Sequence, residues 1–284
     1  MVKRILSLAT CFFMLFTVSA SAVTTNNSRG VKEIQSDNIE YWRSKFPKLD
    51  TYLNQNPESK LVGEDEIYIK YTLKDDTKHN AKVLTELDYN QEVYTREQYE
   101  LEISKERVNI GPSIPVDSEP YWLRLDLQVY HESGNKFMAY SFWEWKTKPV
   151  FLFTDLNGIY VSEGAVVDED IAPNVMASQY AQLISDEYMK YTDNEIDVEK
   201  NSKGMMGIID INGGSEVAPV TAHMGMTQTP ISRINTSVTS IFVYTSYIHK
   251  QIAVGSPSFD SQGKPSFGLN ISTDEHAARV KITF

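Results

Sequence analysis

Residues 120–155 read PYWLRLDLQVYHESGNKFMAYSFWEWKTKPVFLFTD, and this stretch decides the fold. From Tyr121 to Val129 the odd positions are Tyr121, Leu123, Leu125, Leu127 and Val129, while the even ones include Arg124, Asp126 and Gln128. A period of two sets one row of side chains on a core and the other in water, as in an antiparallel sheet wetted on one face. Glu132-Ser-Gly-Asn135 supplies a hairpin turn, with Gly134 free to take a positive φ. The returning run is apolar on both parities: Met138, Tyr140 and Phe142 on one, Phe137, Ala139, Trp143 and Trp145 on the other. That pattern belongs in the middle of a sheet, or else exposes an aromatic face for binding. Pro149 ends the run, and Val150-Phe-Leu-Phe153 leads into Asp155-Leu-Asn-Gly158, which reads as a turn.

Outward from this centre the β pattern continues. Glu66 to Leu73 alternates as a strand, and Gly204 to Ile211 reads as a buried one. Asn235 to Val254 carries the longest strand signal. Val238, Phe242, Tyr244 and Ile248 fall on one parity, with Thr239, Thr245 and His249 on the polar one, and the length implies a bend or bulge. Val280, Ile282 and Phe284 alternate with Arg279, Lys281 and Thr283, so the last residues form a strand. Residues 168–203 show no clean period and are assigned to strands with long loops. Two short helices precede these strands. Asp37 caps one bearing Ile39, Trp42 and Phe46, halted near Pro47, with Trp42 as a packing anchor. Thr95-Arg-Glu-Gln98 has the form of a capping box opening the other. Gly111-Pro-Ser-Ile-Pro115 breaks the chain between the two regions. The expected fold is mainly β: an antiparallel β-sandwich over residues 116–284, preceded by a short mixed α/β region over 23–115.

The first residues have another purpose. Met1-Val-Lys-Arg4 is basic, Ile5 to Val18 is apolar, and Ala20-Ser-Ala22 is a small-x-small pattern, so 1–22 reads as a signal peptide cleaved after Ala22. Fourteen apolar residues are too few for a span, which needs about 20. The single cysteine, Cys11, lies inside this segment, leaving the exported chain without disulfide, thiolate nucleophile or Cys-based metal site. Losing Lys3 and Arg4 takes the formal net charge from −11 to −13. An acidic surface repels phosphate backbones and anionic headgroups, so no nucleic-acid partner and no stable membrane insertion are expected.

The chemistry-bearing residues form no recognisable constellation. G-x-S-x-G, which exposes a nucleophilic serine, does not occur, and Ser215 in Gly213-Gly-Ser-Glu216 reads as a turn serine. The five histidines, His79, His131, His223, His249 and His276, lack H-x-H and H-E-x-x-H spacing. His131-Glu132 begins the second motif, but Asn135 stands where its second histidine belongs. A glycosidase takes two carboxylates from distant strands; Glu144, between Trp143 and Trp145, is the first candidate, and pairing with a nearby lysine is its plainer use. Asp155, Asn157, Asp168 and Asp170 are oxygen ligands near loops without EF-hand spacing, which surface acidity explains. No catalytic residue, metal or cofactor is assigned, and the binding residues are unknown. The 16 tyrosines are mostly expected to be half-buried strand residues, although aromatic faces also stack on sugars.

Trp122-Leu-Arg-Leu125, Phe142-Trp-Glu-Trp145 followed by Pro149, Asp155-Leu-Asn-Gly158, Gly204-Met-Met-Gly-Ile-Ile-Asp210 and Tyr244-Thr-Ser-Tyr-Ile-His249 give the layout a resemblance. It resembles a loose group of exported, functionally uncharacterised β-rich proteins of Gram-positive bacteria. The resemblance implies secretion and a β-rich fold, and carries no activity or site residue. The expected function is that of a secreted, non-enzymatic extracellular or cell-surface interaction protein, with an extracellular protein or a polysaccharide as partner. The alternatives are a carbohydrate-active enzyme, or a secreted pore-forming toxin with Ser232 to Gln251 as its detachable hairpin.

Overall fold

The computed structural model describes residues 31–73, 89–110, 120–146, 154–168, 174–182, 188–193, 197–210, 214–215, 218–250, 256–267 and 273–284. The signal segment 1–22, the aromatic run 150–153, the break at 111–115, His79 and Asp170 lie outside them. In chain order the described elements begin with helices α1 (Asn38–Lys45) and α2 (Pro47–Gln55) and strands β1 (Lys60–Leu73) and β2 (Tyr89–Tyr94). Helix α3 (Arg96–Ile110) follows, then β3 (Tyr121–Ser133), β4 (Lys136–Trp145), β5 (Thr154–Val161) and β6 (Ala165–Val167). Next come β7 (Asn174–Gln182), β8 (Tyr188–Asp193), β9 (Asp197–Asn201), β10 (Gly204–Asp210), β11 (Gly214–Ser215) and β12 (Ala218–Arg233). The chain closes with β13 (Ser240–Lys250), β14 (Pro257–Phe259), β15 (Pro265–Phe267) and β16 (Thr273–Thr283).

These strands form two packed antiparallel sheets, as the alternation predicts. The larger runs β2-β1-β3-β4-β12-β7-β8, with β6 and β11 also on β12. The second runs β16-β13-β5-β10-β9, and β14 pairs with β15 as a separate ribbon. The core between the sheets takes Leu123, Leu125, Leu127 and Val129 from β3 and meets Val243 and Val280 from the second sheet. Strand β4 lies between β3 and β12, and it is apolar on both faces because Phe137, Ala139, Trp143 and Trp145 meet the second sheet while Met138, Tyr140 and Phe142 pack under the helices. Gly134 has φ 56° in the β3–β4 turn, the conformation for which a residue without Cβ is suited. Residues 174–182, 188–193 and 197–201 are strands, as assigned. Strand β1 pairs with β3 from Lys60/His131 to Tyr71/Tyr121, so the mixed N-terminal region shares the larger sheet. The expected boundary near residue 115 falls within 111–119, outside the described residues.

Four expectations are corrected. The even row of β3 is not in water: Arg124, Asp126 and Gln128 are buried, because the helices cover that face of the sheet. Trp42, Phe46 and Leu49 of the helical segment pack there with Tyr140, Phe142 and Met226. Asp155 to Gly158 is not a turn but the middle of β5, paired on both sides with β10 and β13. Gly158 is needed there for close approach, since a Cβ would stand 2.3 Å from Pro265 Cγ. Within the long strand signal at 235–254 the described residues give β13, preceded by a turn, and 251–254 lie outside them; the longer β12 (16 residues) was hidden by Pro219, Gly225 and Pro230. Helix α1 also starts differently: Asp37 makes no capping bond, and Ser36 Oγ accepts from the Asn38 N–H instead (3.0 Å). The Thr95/Gln98 capping box is present, with Thr95 N donating to Gln98 Oε1 (2.8 Å) and Gln98 N to Thr95 Oγ1 (3.4 Å).

Trp143 and Trp145 belong to the inter-sheet core and form no platform. Gly225 of β12 lies opposite Trp143 of β4, and a Cβ on it would stand 2.4 Å from the indole. The bare backbone therefore makes the room that the indole occupies. Gly225→Ala is expected to cost about 1–3 kcal/mol of stability through overpacking, read as a lower midpoint in denaturant unfolding at unchanged slope; an unchanged midpoint would mean that the indole has other room.

Candidate functional site

Among the described residues the buried ionisable groups gather in two places. The first lies under α1 on the even row of β3. Arg124 Nε donates to Glu66 Oε1 (2.5 Å), and its Nη2 donates to Asn38 Oδ1 of α1 (2.9 Å). The guanidinium carbon sits 4.9 Å from the Tyr41 ring centre and 4.6 Å from that of Trp42, so α1 supplies cation–π contact as well. Trp42 Nε1 donates to Asp126 Oδ2 (2.6 Å), and Gln128 Nε2 bridges Asp126 Oδ2 (3.2 Å) and Glu64 Oε1 (2.9 Å). Arg96 of α3 pairs with the other oxygen of Glu66 (2.7 Å) and reaches Asn38, so α1 and α3 are fixed to one charge cluster.

Glu144, the sequence candidate for acid catalysis, belongs to this cluster. It accepts from Tyr41 Oη (2.7 Å) and Lys146 Nζ (2.5 Å), and Arg124 Nη1 stands 3.8 Å away. Its use is the plainer one: a paired carboxylate fastening α1. Four carboxyl groups, Glu64, Glu66, Asp126 and Glu144, face three cations, Arg96, Arg124 and Lys146, so one added proton balances the set. Asp126 is the group suited to take it. It is 0% exposed, and burial, reinforced by Glu64, pushes its carboxyl well above the usual range against the pull of Trp42 and Arg124.

The second cluster lies between the sheets. His249 Nδ1 stands 3.0 and 2.9 Å from the two oxygens of Asp155, Tyr247 Oη donates to Asp155 Oδ2 (2.5 Å), and Trp145 Nε1 donates to Tyr247 Oη (3.1 Å). Asn157 donates to Ser141 Oγ (2.9 Å) and to the Ser246 carbonyl (3.3 Å) beside it. His249 is 3% exposed and hydrogen-bonded to Asp155, so the polar parity of β13 faces the core; of the other parity Phe242 and Tyr244 are half-buried on the outer face, while Ser246 and Ile248 are buried. This His–Asp pair holds a carboxylate inside the sandwich by giving it two donors. The proposed oxygen ligands are not brought together either, since Asp155 and Asn157 point into the core and Asp168 follows β6. Among the described residues no group of three His, Cys, Asp or Glu is placed to hold a metal ion. Ser215 lies in β11, paired with Ala218, not in a turn. Within Ser232 to Gln251, Ile241, Val243 and Tyr247 carry core, and β13 is hydrogen-bonded between β5 and β16.

Reversal of the β13 parity creates a surface that sequence reasoning missed. Tyr160 of β5 and Tyr244 of β13 stand opposite each other and stack (centroids 4.9 Å apart, 11° between planes) on the outer face of the second sheet. Phe242 continues the row at 6.1 Å from Tyr244, with Arg279 and Lys281 of β16 at 5.3 and 5.8 Å from its ring. The three rings are half-buried and the two cations exposed. The β14–β15 ribbon bounds the row: a Cβ at Gly204, opposite Tyr160, would stand 2.0 Å from the Gly263 carbonyl. The basic parity of the last strand was the available signal, because an acidic chain has little other use for aligned cations.

No family model matches the chain, and no curated protein matches it. Among solved structures it is similar to a collagen-binding domain from a Staphylococcus aureus adhesin, at 9% identity over 50% of this chain and 87% of that one, with a TM-score of 0.27. A collagen-binding domain of an Erysipelothrix rhusiopathiae surface protein matches at 7% over 58% and 67%, with a TM-score of 0.27. Clostridium perfringens delta-toxin matches at 6% over 59% and 86%, with a TM-score of 0.26. At these identities and scores the likeness carries no ligand or activity over to this chain. Among the described residues no helix is long and apolar enough to cross a membrane.

Two substitutions test the helix-facing cluster. Arg124→Ala leaves Glu66 and Glu144 without their shared cation and is expected to cost about 3–5 kcal/mol in denaturant unfolding. Arg124→Lys should recover little, since an ammonium cannot reproduce the planar contact with Tyr41 and Trp42. For Asp126 the folded pKa lies above the unfolded value of 3.8, so its stabilising contribution is fully present below 3.8 and is lost as pH rises through the folded pKa. Asp126→Asn keeps an acceptor for Trp42 and cannot ionise, so it should gain on wild type as pH is raised from about 4 towards about 8. Parallel stability–pH curves for the two proteins would show that Asp126 is ionised in the fold.

Proposed function

We propose that this is an exported, non-enzymatic interaction protein, secreted after cleavage behind Ala22, that contacts an extracellular protein or polysaccharide through the outer face of its second sheet. It would belong with the exported Gram-positive proteins that its motifs resemble. The observation that carries the reading is the half-exposed row of Tyr160, Tyr244 and Phe242 beside Arg279 and Lys281. Aromatic rings combine large contact area with little entropy to lose, and Tyr and Arg are enriched where binding energy concentrates. The described carboxylates best suited to acid–base work, Glu144 and Asp155, are engaged by internal partners, which leaves this row as the outward-facing chemistry. Export is supported by the basic, apolar and small-residue succession of residues 1–22.

The test is binding of the purified protein to whole cell envelopes, extracellular matrix proteins and a panel of polysaccharides. Saturable binding is expected to one of them, and Tyr244→Ala combined with Phe242→Ala should weaken it at least about tenfold while the protein still unfolds cooperatively. Release of reducing ends from a bound polymer would convert the reading to a carbohydrate-active enzyme, and undiminished binding by the double variant would remove this face from the function.

A further inference from the structure

We infer that the aromatic row takes an anionic polysaccharide, with sugars packing along the outer edges of the Tyr160–Tyr244–Phe242 stack and the polymer's acidic groups meeting Arg279 and Lys281. This rests on reading the row as the contact face and names the class of its ligand. The rings supply the first half of the argument. A pyranose is wet around its rim and apolar on its C–H faces, and the outer edge of a ring stack offers those faces an apolar ridge. Tyr160, Tyr244 and Phe242 follow one another at 4.9 and 6.1 Å, each stacked on the next, so their outer edges form a ridge along which contact can be repeated on a linear chain. The β14–β15 ribbon lies over Gly158 and Gly204 beside this row, making a narrow shelf with a wall. Such a shelf fits a polymer strand better than the broad patch of a protein partner, whose standard interface buries about 800 Å² on each side.

Charge supplies the second half. The chain carries −11 overall and repels polyanions from most of its surface. Arg279 and Lys281 reverse that sign at one end of the row, both exposed and both on the outward parity of β16. Beside the first of these is Asp65, which accepts the Arg279 backbone N–H (2.7 Å) and attracts its guanidinium, while burial pushes the Asp65 carboxyl up. A neutral glycan would gain nothing from this pair. Nucleic acid would need a longer basic stripe to follow its closely spaced phosphates than two cations on an acidic chain provide.

Affinity electrophoresis of the purified protein in gels containing alginate, heparin or neutral dextran tests the inference. Retardation by one of the two acidic polymers is expected, with little by dextran. Tyr244→Ala should weaken it up to about tenfold, and Arg279→Gln and Lys281→Gln about two- to fivefold each. Salt near 1 M, where the screening length falls to about 3 Å, should abolish most of the charge contribution. Circular dichroism melting of each variant separates lost binding from lost fold. If dextran retards the protein as strongly and the charge variants behave as wild type, the ligand class is wrong while the contact face stands. Failure of all three polymers, with binding to a matrix protein that Tyr244→Ala weakens, also overturns the anionic ligand and keeps the face. Binding that no substitution in the row alters overturns both.

Discussion

The guanidinium of Arg124 is the interaction on which the architecture turns. Strand β3 is buried on both faces, and only its odd row is apolar enough to be buried without further help. The even row carries Arg124, Asp126 and Gln128 into the interior, where an unmatched charge is costly and must be paired and hydrogen-bonded. The match comes from outside the strand: Glu66 from β1, Glu144 from β4, Asn38 and two aromatic rings from α1. Arg124 thus gives the helices a defined seat, and the apolar contacts of Trp42, Phe46 and Leu49 with Phe142 add the non-directional part of the attraction. The stack of Trp42 on Phe142 (4.6 Å, 9°) and the bond from Trp42 to Asp126 use one side chain for both purposes.

Between the sheets the same principle works on a smaller scale. A sandwich core made only of branched aliphatics tolerates sliding, whereas donors and acceptors that must meet fix register. Tyr247 and His249 bond to Asp155, Trp145 donates to Tyr247, and Ser141 meets Thr245 and Asn157, so β4, β5 and β13 are locked to one another across two sheets. Gly225 under Trp143 and Gly158 under Pro265 do the steric counterpart by admitting a neighbour that any Cβ would exclude.

The proposed function rests on what faces outward among the described residues. Because the most chemically versatile side chains are committed to holding helices and sheets together, the outward chemistry of the second sheet is a row of rings with two cations beside it. A surface of that kind recognises by shape, stacking and charge, and it asks for no moving part in the protein.

Strict alternation in Tyr121–Val129, the Gly134 turn, the doubly apolar β4, the Thr95/Gln98 box and the basic–apolar final strand were legible locally, because pleat period, positive φ and capping depend on neighbours in sequence. What covers a face is not local. Trp122 and Tyr130, aromatics at the ends of the polar row of β3, hinted that helices lie over Arg124, yet the partners come from residues up to 86 positions away. In β13 the two parities are nearly equal in hydrophobicity, Ile241, Val243 and Tyr247 against Phe242, Tyr244 and Ile248, so periodicity alone could not say which row faces in. The Asp155–His249–Tyr247 bonds and the packing against β3 decided it, and in doing so turned Tyr244 outward. The sequence by itself determined a β chain with two short N-terminal helices and the strands' pleats; only the tertiary structure decided which face of each strand is covered, because burial is a property of the neighbours that arrive from elsewhere in the chain.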